Sequence, residues 1–140
     1  MEFKAAIAFL GLVIVGAIYY YIESRPVEIA DLDTSFQSGT YLVYIGADNC
    51  GACRRYHGRA MNETKVRAQK SDIQFVYKVV PSLRDLRKKD VLGDFWPVFN
   101  AAGKKSRFAV PLFAVVHDGK LVDAEPGKWQ KMLKVAQNAS

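Results

Sequence analysis

Cysteine and histidine are scarce in this 140-residue chain, two of each. A structural zinc site normally takes four such ligands. Cys53 and His57, four apart, can share a helix face, but a third and a fourth ligand are hard to find, so no metal is expected. Covalent haem attachment needs histidine directly after the second cysteine of a Cys-x-x-Cys, and here that residue is Arg54. Internal repeats and low-complexity stretches are also lacking. So is any nucleic-acid recognition motif, and nucleic acid is not an expected partner.

The two cysteines sit three apart, Cys50-Gly51-Ala52-Cys53, directly after an apolar run at 41–46. A strand that ends in a dithiol opening a helix puts one thiol at a helix N-terminus, where unpaired backbone N–H groups favour thiolate. A thiolate beside a second thiol makes and breaks disulfides. An inert staple is the alternative, but a closed loop this short constrains the unfolded chain little.

Charge is missing altogether from residues 5–22. Eighteen residues at 1.5 Å each span about 27 Å, close to a bilayer core. Tyr19, Tyr20 and Tyr21 stand where an interfacial aromatic belt would lie. Residues 1–22 are therefore expected to be one N-terminal transmembrane anchor, or an uncleaved signal; small residues up to Ala17 also fit a cleavage site. Lys4 precedes the run and acids follow it, which puts the N-terminus in the cytoplasm. The expectation is a single-pass protein of the inner (cytoplasmic) membrane whose C-terminal domain faces the periplasm or cell exterior. Residues 23–35 read as a linker, with a short helix or strand expected near Val27-Glu28-Ile29, and 36–140 as one domain. Residues 1–40 carry a net −3 and residues 41–140 a net +9. A solvated lysine-rich surface explains that best; attraction to anionic membrane or acidic partner proteins is the functional alternative.

Residues 41–46 and 73–80 read as strands, the first covered on both faces. A helix opens at Gly51, with Gly58 as a kink or end and a restart near 62–64. Ser82 and Asp85 suggest a capping box. A short helix is expected from Pro97 to about Ala102, ended by Gly103. Phe95, Trp96 and Phe99 are core fillers or an aromatic wall beside the site. Residues 112–122 read as a hairpin turning at Asp118-Gly119. A final amphipathic helix follows, with Trp129, Met132, Leu133 and Val135 as core candidates.

Three features together carry a family resemblance: Cys50-Gly51-Ala52-Cys53 after a strand, Val110-Pro111 before the next, and Asp118-Gly119 in the last hairpin. The chain resembles a membrane-anchored thioredoxin-like protein over about residues 36–140. The resemblance implies an α/β thioredoxin fold, a central mixed sheet flanked by helices. It makes Cys50 the nucleophile, Cys53 the resolving thiol and Pro111 a cis-proline. Val110, with Gly51, Ala52 and Trp96, would meet the substrate, Val110 through its backbone.

The chain departs from the family at several positions. Tyr44 stands where thioredoxin has a buried acid six residues before the first cysteine, and a phenol with pKa near 10 is a poor base at neutral pH. Lys78 matches the family's lysine without its acidic partner, and Asp48 is a surface candidate to replace the acid. Asn49 replaces the tryptophan before the first cysteine. Ala52 replaces proline and so adds a backbone donor near the sulfurs. About ten extra residues between Lys78 and Pro111 suggest a partner-specific surface. The expected function is a protein thiol–disulfide oxidoreductase for exported proteins, with no cofactor beyond the Cys50–Cys53 disulfide. Two alternatives are a non-catalytic accessory subunit of a membrane complex and a thiolate metal chaperone.

Overall fold

The computed structural model of the chain describes residues 11–19, 26–29 and 35–140. A helix, α1, covers residues 11–19 and is exposed along its length. Among the described residues no helix is long and apolar enough to cross a membrane. The remainder of the expected span at 5–22 lies outside the described residues.

The sheet has five strands in the order β1-β5-β4-β2-β3. They are β1 (Val27–Glu28), β2 (Thr40–Ala47), β3 (Gln74–Val80), β4 (Leu112–His117) and β5 (Lys120–Pro126). β2 pairs parallel with β3 and antiparallel with β4, which makes the sheet mixed. Between β2 and β3 run α2 (Gly51–Arg59) and α3 (Met61–Lys70), the helical crossover that a parallel pair requires. The helix does not end at Gly58. It runs to Arg59 and breaks at Ala60, whose backbone leaves the helical region. β3 lies at one edge of the sheet, which explains why all but Val80 of its residues are half-buried or exposed where β2 is almost wholly buried.

The run at 41–46 is apolar without alternation because both faces of β2 are covered. Val43 and Ile45 belong to one core, with Leu112, Ala114 and Val116 of β4. Leu42 and Tyr44 belong to the other, with Phe113 and Val115. The two-residue period of the strand sorts neighbours onto opposite faces. On the second face lie Met132, Leu133 and Ala136 of the terminal helix α6 (Trp129–Ala139), all buried. Trp129 and Val135 are only half-buried there.

The segment between β3 and β4 covers the first face. It consists of a 3-10 turn (Leu83–Arg87), α4 (Lys89–Leu92), a second 3-10 turn (Gly93–Phe95) and α5 (Trp96–Ser106). Ser82 Oγ accepts from Arg84 N at the start of the first turn. The helix expected to end at Gly103 continues through it to Ser106. A Cβ at Gly103 would overlap the Phe108 ring, so this glycine makes room for packing and does not stop the helix. The end comes at Arg107, which is left-handed with φ 55°, as is Phe108.

β4 and β5 join through Asp118-Gly119, both at positive φ, the geometry that a tight hairpin demands. The Asp118 carboxylate accepts from Gly39 N at 2.8 Å, and Gly119 N donates to Phe36 O at 3.0 Å. Val27 and Glu28, within the stretch read as a linker with a short helix or strand, form that strand and pair with Leu121 and Lys120. Ile29 and Phe36 are buried, so hydrophobic burial ties this stretch to the domain.

Candidate active site

β2 runs out at Ala47, and three residues later Cys50 caps α2. Its Sγ accepts from Cys53 N at 3.2 Å, which satisfies one of the open donors of the first helical turn. The donor found there belongs to Cys53, where the sequence pointed to Ala52. Cys50 and Cys53 are joined as a disulfide with Cα atoms 5.2 Å apart. Cys50 retains 7% of its surface and Cys53 none. Only the first sulfur is reachable, and narrowly. Gly51 is exposed and Ala52 half-buried on the same turn. No acid sits in that turn, and Arg54 and Arg55 are exposed beside it. The helix terminus and these cations favour a thiolate once the bond is reduced.

Three hydrogen bonds anchor the approach to the dithiol. Asp48 N donates to Val80 O at 2.9 Å. Asn49 Oδ1 accepts from Leu83 N at 2.8 Å, and its Nδ2 donates to Ser82 Oγ. Asn49 therefore staples the β2 end to the turn after β3. Asp48 itself is exposed. Lys78 lies on β3 opposite Ile45, half-buried.

The Val110–Pro111 peptide bond is cis. Val110 O lies 4.0 Å from Cys50 Sγ, a contact across the mouth of the site. From that mouth an open groove of about 710 Å³ leads away. Leu86, Trp96, Phe99 and Val110 supply apolar walls, and the exposed Arg87 and Arg107 stand on it. Trp96 and Val110, far apart in sequence, thus meet along one surface. Of the aromatic run, Phe99 is buried, Trp96 faces the groove, and Phe95 turns away to meet Phe36 edge-on at 5.5 Å.

Behind the disulfide, on the other face, Tyr44 is fully buried. Its ring lies 5.1 Å from Phe113 and 4.7 Å from Tyr56. Its hydroxyl pairs with His57 Nε2 at 2.7 Å. Burial, then the nearby Tyr56 and Asp48, hold the Tyr44 phenol far above its ordinary pKa. Burial likewise pushes Tyr56 up to about 12, although its bond to Thr64 Oγ1 at 2.9 Å acts the other way. Both phenols stay protonated. The sequence placed His57 four residues past Cys53 but offered no sign of its pairing with Tyr44. The other histidine, His117, bonds Thr40 Oγ1 through Nδ1 at 2.8 Å, at the far end of β2.

No protein-family model matches the chain, and a search of curated proteins finds no match. Solved structures do match. Thioredoxin from Aeropyrum pernix aligns with TM-score 0.54 and 18% identity, over 75% of this chain and 78% of its own. Thioredoxin f from spinach chloroplast gives 0.50 and 16%, over 81% and 93%. A mutant thioredoxin from Halobacterium salinarum gives 0.50 and 15%, over 77% and 80%. At these identities the likeness establishes the fold. This is a thioredoxin-fold protein. Its one disulfide closes a Cys-x-x-Cys at the point where β2 meets α2.

Proposed function

We propose that the protein is a thiol–disulfide oxidoreductase acting on protein disulfides. The observation that carries this reading is the Cys50–Cys53 disulfide at a helix N-terminus, with only Cys50 reachable and the Val110 carbonyl beside it. In the reducing direction the Cys50 thiolate attacks a substrate disulfide. One substrate sulfur leaves as a thiolate and the other is held in a mixed disulfide. The Cys53 thiolate then attacks Cys50 Sγ, which closes the Cys50–Cys53 bond and frees the second substrate thiolate. Two electrons pass from the dithiol to the substrate. An extended substrate segment pairs with the Val110 backbone next to Pro111, as an added strand would. Its flank lies along the groove past Trp96, where Arg87 and Arg107 favour acidic residues.

The same proposal places residues 5–22 in the inner membrane and the domain on the periplasmic or outer side, with exported proteins as substrates. The support is the uncharged run and the flanking charge bias.

Insulin reduction tests the chemistry: the wild type is expected to precipitate the B chain, and Cys50→Ser to abolish it. Full activity in Cys50→Ser would overturn the mechanism. Equilibration of the couple with glutathione sets the direction. A potential near about −270 mV marks a reductant and one near about −120 mV an oxidant.

A further inference from the structure

A resolving thiol must lose its proton before it attacks, and here that thiol is completely buried. Among the described residues no carboxylate is buried, so no acid side chain stands inside to take the proton. The Tyr44 hydroxyl comes near the sulfur without bonding it directly. Its hydroxyl fills the space that a Cβ on Gly46 would occupy, and Cys53 Sγ lies 3.3 Å from that same position. Only glycine at 46 lets the phenol enter. The hydroxyl oxygen is thus within one water-bridged hydrogen bond of the sulfur. On its other side it is bonded to His57 Nε2 at 2.7 Å, and His57 is half-exposed on α2. A chain of groups therefore runs from the buried sulfur to solvent.

We propose that Tyr44 and His57 form a proton relay that activates Cys53. The proposal rests on the oxidoreductase reading above. A phenol kept protonated cannot be the base, but it can donate one proton while it accepts another. The relay requires the tautomer in which the hydroxyl donates to His57 Nε2 and the neutral imidazole carries its own proton on Nδ1. In the resolving step the Cys53 proton passes through one bridging water to Tyr44 Oη. The Tyr44 proton passes to His57 Nε2. The Cys53 thiolate attacks Cys50 Sγ, the Cys50–Cys53 bond forms, and the bond from Cys50 to substrate breaks. The electron pair of that bond leaves on the substrate sulfur, which takes a proton from water. His57 then releases its extra proton to solvent. Imidazole suits this work because it changes charge in the neutral range.

Other titratable or charged groups near the pair come from few elements. Tyr56 on α2 has its ring 6.2 Å from His57. Asp48, just past β2, acts on Tyr44 by its charge. Arg54 is exposed one turn back on α2. From β4 the neighbour is Phe113, which does not titrate.

The test uses the reduced protein and dithiobis(nitrobenzoate), which releases one coloured thiolate when Cys50 attacks and a second when Cys53 resolves. Tyr44→Phe keeps the ring and removes only the hydroxyl. His57→Gln keeps an acceptor and removes the imidazole. In the wild type the second release is expected to speed up as pH rises. In both variants it should slow at least about tenfold at neutral pH and lose that pH response. The first release reports that the Cys50 site is intact, and it should stay within about twofold. A second release with unchanged rate and pH profile in both variants overturns the relay. Equal slowing of both releases also overturns it, since that marks a merely structural pair. Absence of the first release from the wild type would instead refute the oxidoreductase reading.

Discussion

The two faces of the sheet are built differently around one disulfide. Behind it Tyr44, Tyr56 and Phe113 form a closed aromatic cluster under α2 and α6, with His57 at its edge. In front of it the 3-10 turn at Leu83–Arg87, α5 and the 107–110 loop leave an open groove. Both cysteines pack with the front core, and Cys53 Sγ also lies near the Gly46 position that the Tyr44 hydroxyl enters from behind. In the relay proposed above the rear face would govern protons at the second sulfur, and the groove would govern what reaches the first.

The strongest way to break this contrast is to cut one aromatic from each side. Phe113→Ala removes a buried ring that touches both tyrosines. It should cost about 3–5 kcal/mol in urea unfolding. Phe108, 49% exposed, is an exception to burial on the front face. Phe108→Ala should cost about 1 kcal/mol or less. Equal losses would mean that the half-exposed Phe108 ring is held as firmly as the buried Phe113.

A smaller effect sharpens the role of the front. Arg87→Glu combined with Arg107→Glu should reverse the preference between peptides with acidic and basic flanks beside the disulfide. We expect about a tenfold change in kcat/KM ratio, equivalent to about 1.4 kcal/mol. Activity towards small uncharged disulfides should be unaffected. No change in peptide preference would remove the groove from substrate recognition.

The smallest effect concerns alkaline stability. The unfolded chain releases tyrosine protons near 10.0, whereas folded Tyr56 holds its proton to about 12 and Tyr44 beyond that. Above pH 10 the folded state therefore binds more protons. Their contribution is fully present below pH 10 and is lost as pH rises towards the folded values. At pH 11 each phenol should cost about 1 kcal/mol of stability. Tyr44→Phe should flatten the decline between pH 10 and 11 in urea titrations, whereas Phe108→Ala should leave its slope alone.

Elements whose signal is local were readable in the sequence. β2 shows as an unbroken apolar run, the hairpin as Asp118-Gly119, and the dithiol helix as a strand followed by Cys-x-x-Cys. What escaped reading depends on partners distant in sequence. Gly103 reads as a helix stop, and only the Phe108 ring folded over it shows why the helix goes on. Val27-Glu28-Ile29 reads as a short helix or strand, too short for its pattern to choose, and the edge of β5 decides for strand. Tyr44 reads as the loss of an acid. Its link to His57, thirteen residues on, crosses from a strand to a helix, and no sequence periodicity spans that step.

The stitching of residues 36–39 to the Asp118-Gly119 turn has a mechanical consequence. This seam lies at the start of β2, while the disulfide lies past its end, eight strand residues or about 25 Å away. Tension entering from the chain that precedes the domain would load β1, β5 and this turn first. The hydrogen bonds that hold Gly39 and Phe36 act as strain relief. A pull arriving from that side would leave the reactive end undistorted.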